Sequence, residues 1–175
     1  YYESKYACIK GIICPENLMF SVGNNYGFSR SSGELIIFLN NDTEVTEGWL
    51  DELVQPLVRY KQVGAVGPKL LYGDDTIQCA GIVYSPLSKM PYHIYRGVSG
   101  NSPCVNKKRF YPSLTGACLA VRASQFASLH GFDPIYVNGC EDIDLCFKLT
   151  RRLRLKLLYT PASEVYHLEG KSEGR

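Results

Sequence analysis

The spacing of apolar residues changes several times along this chain, and each change marks an element. The run LIIFLN at residues 35–40 is continuously apolar, rich in branched side chains, and bounded by Gly33 and the polar cluster NNDTE. It predicts a strand buried on both faces, of the kind found in parallel sheets covered by helices. Leu50, Leu53, Val54, Leu57 and Val58 then recur at three and four residues. That period predicts an amphipathic helix with Thr46 as its cap and a kink or break at Pro56.

VGAVGP at 63–68 and IQCAGIVY at 77–84 predict two further strands, parted by the turn-forming GDD at 73–75. Over residues 85–112 the period dissolves into Pro, Ser, Gly, Tyr and Lys, which predicts a long surface excursion. Order returns with SLTGACLAV at 113–121, a strand, and a short helix over 124–129 stopped by Gly131. EDIDLCFKLTRRL at 141–153 follows as a helix with acids in its first turn and arginines in its last. LKLLYT, a strand, and the segment VYHLEGKS close the chain. The alternation predicts one α/β domain over residues 1–175, with a mixed, mainly parallel sheet flanked by helices.

Composition narrows this picture. A chain of 175 residues, 45% hydrophobic, can bury one substantial core and is short for two ordinary domains. Nineteen basic residues against seventeen acidic ones leave a formal charge of +2, too balanced for a general polyanion binder, so no nucleic-acid partner is expected. The seven cysteines are odd in number and lack the C-x-x-C spacing of zinc or redox sites. They fit the reduced thiols of a cytosolic protein, with Cys79, Cys118 and Cys146 acting as small hydrophobes. No stretch approaches the ~20 apolar residues that span a bilayer, and no charged-then-apolar leader precedes the first strand. The sequence opens at Tyr1 rather than methionine and reads as an excerpt.

Three groups of residues carry candidate chemistry. Asn40, Asn41, Asp42 and Glu44 lie just past the LIIFLN strand, where α/β sheets bind ligands, and strand alternation puts Asn40 and Asp42 on one side. Asn and Asp also end strands and make turns, so this cluster alone selects no ligand. Glu141, Asp142 and Asp144 open a helix, where acids are ordinary partners of the helix dipole. At about 100° per residue Asp142 and Asp144 project nearly opposite ways, so one of them can act while the other braces. His167, one of three histidines, follows a strand and is a natural ligand for Mn²⁺ or a similar ion, although a lone histidine is more often structural.

Taken in order, the segments ENLMFSVGNNYG, SSGELIIFLNNDTEVTEGWL, VGAVGPKLLY, IQCAGIVY, LTGACLAVRASQF, GFDPIYVNGCEDIDLCFKL and VYHLEGKS resemble family 2 glycosyltransferases. The resemblance is strongest to rhamnosyltransferase-like bacterial enzymes of cell-surface polysaccharide synthesis, which have the Rossmann-like GT-A fold. It implies an inverting sugar transfer from a UDP, GDP or dTDP sugar to a glycan or lipid-linked acceptor, with a divalent cation, Mn²⁺ or Mg²⁺. LNND stands where the family carries its D-x-D motif, so Asn40 replaces the first aspartate and Asp42 supplies the metal-binding second one, with His167 completing the metal site. Asp142 matches the base of the family's E-D motif.

The same resemblance puts Asn25, Asn40, Asn41, Gly116, Ala117 and Ser172 on the donor side, with Gly170 and Ser172 in a tail that folds over the diphosphate. It puts Phe132, Asp133, Glu141 and Asp144 on the acceptor side. Lys148 and Leu153 depart from an arginine and a glycine common in the family, and the family's first strand and nucleobase-binding loop are expected before Tyr1. Two alternatives remain open: a non-catalytic binding domain of the same fold, and a nucleotidyltransferase, which would want a glycine- and arginine-rich phosphate loop. A cytoplasmic location is expected, with peripheral attachment at the inner membrane face through missing segments.

Overall fold

The computed structural model describes residues 5, 6, 8–137 and 139–168. In chain order its elements are α1 (Met19–Ser29), β1 (Leu35–Leu39), β2 (Thr43–Val45), α2 (Trp49–Arg59), β3 (Val63–Leu71), β4 (Ile77–Cys79), β5 (Ile82–Tyr84), β6 (Pro91–His93), β7 (Arg109–Tyr111), β8 (Cys118–Arg122), α3 (Ala123–Ser128), α4 (Glu141–Arg151) and β9 (Lys156–His167). The main sheet runs β1-β8-β3-β9-β2, with β4 on β3 and β7 on β9, while β5 and β6 form a separate hairpin.

β1, β3 and β9 run in one direction, as strands joined through helices do. β8, however, lies antiparallel between β1 and β3, and β2 lies antiparallel on β9. Among the described ladders only β3–β9 is parallel, so the mixed α/β sheet is present but its pairing is mainly antiparallel. The cause is β8, which returns from the excursion against its neighbours and needs no crossover helix to pair with them.

All nine residues of β3 are buried, the mark of a central strand covered on both faces. One face packs Val63, Val66 and Leu70 with Leu53 and Leu57 of α2. The other packs Ala65 and Leu71 with Phe126, Phe132, Leu145 and Leu149.

Several boundaries depart from the sequence pattern for physical reasons. Gly48, at φ 74°, precedes α2 in place of Thr46, whose hydroxyl is spent on the Glu164 carbonyl at 2.8 Å. Pro56 sits inside an unbroken α2. The lost N–H to the Glu52 carbonyl is offset by burial of Leu53 and Leu57, and Arg122 donates to the carbonyls of Leu57, Tyr60 and Val63 around the helix end. IQCAGIVY splits into β4 and β5 at Gly81, whose φ of 119° and contact with Tyr111, 2.3 Å from a Cβ placed there, admit only glycine.

LKLLYT and VYH form one strand, β9, whose pairing with β3 slips after Pro68 so that residues 161–163 bulge out. Residues 85–112 contribute β6, β7 and the fully buried Val105, and Tyr159 donates to the Val105 carbonyl at 2.9 Å. Buried Lys69 anchors them to the sheet, with Nζ 2.6 Å from Glu164 and donating to Asn106 at 2.8 Å and to the Gly100 carbonyl. The excursion is thus a packed cover on the core. α1 escaped the pattern because Gly23, Asn24, Asn25 and Gly27 are poor helix formers, and tertiary contacts hold it instead. No helix among the described residues is long and apolar enough to cross a membrane.

Candidate functional site

A cavity of about 800 Å³ opens past the ends of β1 and β9, lined by residues that include Asn17, Asn24, Asn40, Asn41, Gln78, His93, Thr115, Gly116, Ala117, Glu141, Asp142 and His167. That volume suits a ligand the size of a nucleotide sugar.

Strand register builds one end of it. β2 pairs antiparallel with the end of β9, placing Thr43 opposite His167, and the Leu168 N–H donates to the Asp42 carbonyl at 2.9 Å. The same ladder brings His167 Nε2 to 3.3 Å from Asp42 Oδ1, with both side chains more than nine-tenths buried. Neither imidazole nitrogen makes a hydrogen bond among the described residues. An octahedral ion with bonds of ~2.1 Å sets its adjacent ligands ~3 Å apart, so this carboxylate and imidazole have the spacing and chemistry of two neighbouring ligands of Mg²⁺ or Mn²⁺. No group of three His, Cys, Asp or Glu gathers among the described residues, so an ion held by this pair would take most of its shell from substrate or water.

Asp142 lines the same cavity. α4 docks through Cys146, whose Sγ meets both the N–H and the carbonyl of Leu114, and this sets the start of α4 against residues 114–116. Burial pushes the Cys146 thiol up to about 12. The Gly116 N–H donates to Asp142 Oδ2 at 2.8 Å, and the Ile143 N–H to Oδ1 at 2.7 Å. A carboxylate oxygen accepts more than once, so the fixed Asp142 still has lone pairs for a substrate proton. A Cβ on Gly116 would lie 3.1 Å from Phe20 and 3.3 Å from Asp142, which explains glycine there. Glu141 is 7% exposed, and burial, with the neighbouring Asp142 charge adding to it, raises its pKa.

The remaining expected residues divide. Asn40 and Asn41 line the cavity, as do Gly116 and Ala117, with the Asn40 N–H bound to the Ala117 carbonyl at 2.9 Å. Asn25, expected on the donor side, instead clamps the Phe132 backbone, donating to its carbonyl at 2.7 Å and accepting from its N–H at 2.9 Å. Phe132, expected on the acceptor side, is fully buried in an aromatic cluster with Phe20, Phe38 and Phe126. Asp133 caps a turn by accepting from the Ile135 N–H, and Asp144 turns to Lys148 at 2.5 Å. These four shape the walls and lie outside the cavity lining. Gly170 and Ser172 fall outside the described residues.

Gln78 and His93 line the cavity and have no counterpart among the expected site residues. Their signal in the sequence was a single amide within an apolar strand, and a histidine in a segment without period.

The fold matches solved GT-A glycosyltransferases. The structure of GalNAc-T7 with UDP, GalNAc and Mn²⁺ superposes with a TM-score of 0.78 at 18% identity, covering 100% of this chain and 35% of that one. The mannosyltransferase PcManGT of Pyrobaculum calidifontis gives 0.59 at 16% identity, covering 91% of this chain and 39% of that one.

Sequence relationship goes further than fold. The chain belongs to glycosyl transferase family 2, whose model matches residues 1–99. It is 36% identical over 154 residues to the O-antigen biosynthesis protein RfbC of Myxococcus xanthus, covering 85% of this chain and 12% of that protein. It is 31% identical over 156 residues to the N-acetylglucosaminyl-diphospho-decaprenol L-rhamnosyltransferase of Mycobacterium tuberculosis, covering 80% of this chain and 48% of that protein. The chain therefore spans less than half the length of these relatives.

Proposed function

We propose that this chain is the metal- and acceptor-binding part of an inverting glycosyltransferase, transferring a hexose or deoxyhexose from a nucleoside diphosphate sugar in bacterial cell-surface polysaccharide synthesis. The observation that carries the reading is the Asp42–His167 pair at 3.3 Å, whose His167 lines the same cavity as a backbone-fixed Asp142 while Asp42 stands just behind it. Asp42 and His167 would hold a divalent cation, which when bound neutralises the charge that develops on a departing diphosphate. With two protein ligands, cation affinity should be low until a nucleotide supplies oxygens.

Asp142 accepts the proton of the acceptor hydroxyl as that oxygen bonds to the anomeric carbon. The bond from that carbon to the diphosphate breaks with its electron pair leaving on the diphosphate. Fixing by the Gly116 N–H keeps the carboxylate on one side of the reacting carbon and spares it reorganisation. Asn40 and Asn41 offer amide donors to the diphosphate or sugar. Gly116 and Ala117 bring backbone close to the sugar, as Ser172 would from the tail. Action at the cytoplasmic membrane face on a lipid-linked acceptor suits the decaprenol-linked chemistry in the name of the mycobacterial relative.

The test is calorimetric titration of UDP, GDP and dTDP into the full-length protein, with and without Mn²⁺, on wild type and Asp42→Ala. One nucleotide should bind in a manganese-dependent way and lose that dependence in the variant. Equal binding with and without Mn²⁺, or by both proteins, would remove the metal assignment.

A further inference from the structure

β3 and β4 pair with a slip: Leu70 faces Cys79, while Leu71 faces Ile77. Gln78 is therefore the extra residue of a β-bulge, the device by which a strand re-aims one side chain out of the regular alternation. The bulge frees the Gln78 carbonyl from the ladder, and the His93 Nδ1 lies 3.2 Å from it. A carbonyl can only accept, so the proton sits on Nδ1, and Nε2 is the ring's other hydrogen-bonding atom. Gln78 is also among the residues that line the cavity although it is only 2% exposed, with Oε1 buried and making no hydrogen bond among the described residues.

A buried amide oxygen without a partner is costly in the free protein, and a bulge that produces one beside a cavity calls for a ligand that satisfies it. The Asp42–His167 end suits a cation and phosphate, whereas an amide and an imidazole suit neutral hydroxyls. We propose that Gln78, aimed by the bulge and flanked by His93, reads a sugar hydroxyl and so helps set which sugar the enzyme accepts. The inference rests on the functional reading above. The hydroxyl belongs either to the donor sugar or to the acceptor sugar.

Gln78→Leu in the full-length protein separates these cases, with UDP, GDP and dTDP as reference probes in the presence of Mn²⁺. The donor arm measures UDP-glucose, GDP-mannose and dTDP-rhamnose. The acceptor arm measures methyl glycosides of glucose, rhamnose and N-acetylglucosamine by saturation-transfer NMR on the nucleotide-saturated protein. Leucine removes the partnerless oxygen at similar volume, so the variant should melt no lower than wild type while losing about tenfold in affinity for the sugar-bearing probe.

Affinity for the bare nucleotide should not change. Loss in the donor arm assigns the hydroxyl to the donor, and loss in the acceptor arm to the acceptor. Unchanged affinity for every sugar probe the wild type binds overturns the proposal, as does a fall in Tm with equal weakening of nucleotide and nucleotide sugar. If no nucleotide binds the wild type, the functional reading fails first and this one with it.

Discussion

Asn25 offers the sharpest separation of scaffold from site. Its amide meets both backbone groups of Phe132, at 2.7 and 2.9 Å, and Gly131 passes so close that a Cβ would sit 2.4 Å from Asn25 Oδ1. Phe132 is fully buried, so Asn25→Ala strips an N–H and a carbonyl of their partners. Each such loss costs ~1–3 kcal/mol, and because Asn25 is half-buried water can reach part of the gap, so the expected total is about 2–3 kcal/mol. In a chain of this size that corresponds to a fall in Tm of roughly 5–10 °C.

Thermal unfolding followed by circular dichroism measures it, with nucleotide affinity recorded on the same samples below the transition. Asn25→Asp keeps the acceptor and loses the donor, so its deficit should shrink as pH falls and the carboxyl gains a proton to share with the Phe132 carbonyl. A variant as stable as wild type that binds nucleotide tenfold more weakly would refute the clamp and return Asn25 to the donor site.

Asp142→Asn keeps oxygen and shape but cannot take a proton, so transfer should fall by about 10²–10⁴-fold with Tm within a few degrees of wild type. Glu141 binds its proton more tightly in the folded state than when exposed, so its contribution to stability is full below its unfolded pKa and is lost as pH rises through the raised folded one. Glu141→Gln should accordingly melt higher than wild type at pH 7, with the gain vanishing near pH ~4, the ordinary range of a glutamate. Lys69→Met leaves Asn106, the Gly100 carbonyl and Glu164 without their cation; Glu164 is 40% exposed and can turn to water, so a loss of about 3 kcal/mol in urea unfolding is expected.

The sequence revealed those parts of the molecule whose cause is local. The apolar run of β1, the period of α2 and the acid-to-base gradient of α4 each name their element within a few residues of its true ends. What could not be read was pairing. The position of β8 between β1 and β3 is set by partners about 50 and 80 residues earlier in the chain, and the Asp42–His167 contact depends on β2, a strand of three residues. Opposed projection of Asp142 and Asp144 was legible from helix geometry, and the structure shows which one turns inward. The motif that names Asn25 and Phe132 does not say whether they touch ligand or hold the wall, and their packing against each other was not legible in it. Gln78 was hidden because a bulge is a property of two strands together.

Strand order also bears on how the molecule assembles as it is synthesised. β1 and β3 run the same way, yet in the finished sheet β8 separates them, and β8 leaves the ribosome about 50 residues after β3. Until then two apolar, co-directional strands lack the strand that comes to separate them, and any pairing of one with the other would have to be undone before the sheet could close. β2 waits longer still, since its ladder partner β9 follows it by about 110 residues. The corner that brings Asp42 to His167 accordingly waits for β9, and a ribosome-bound chain carries Asp42 long before His167 can reach it.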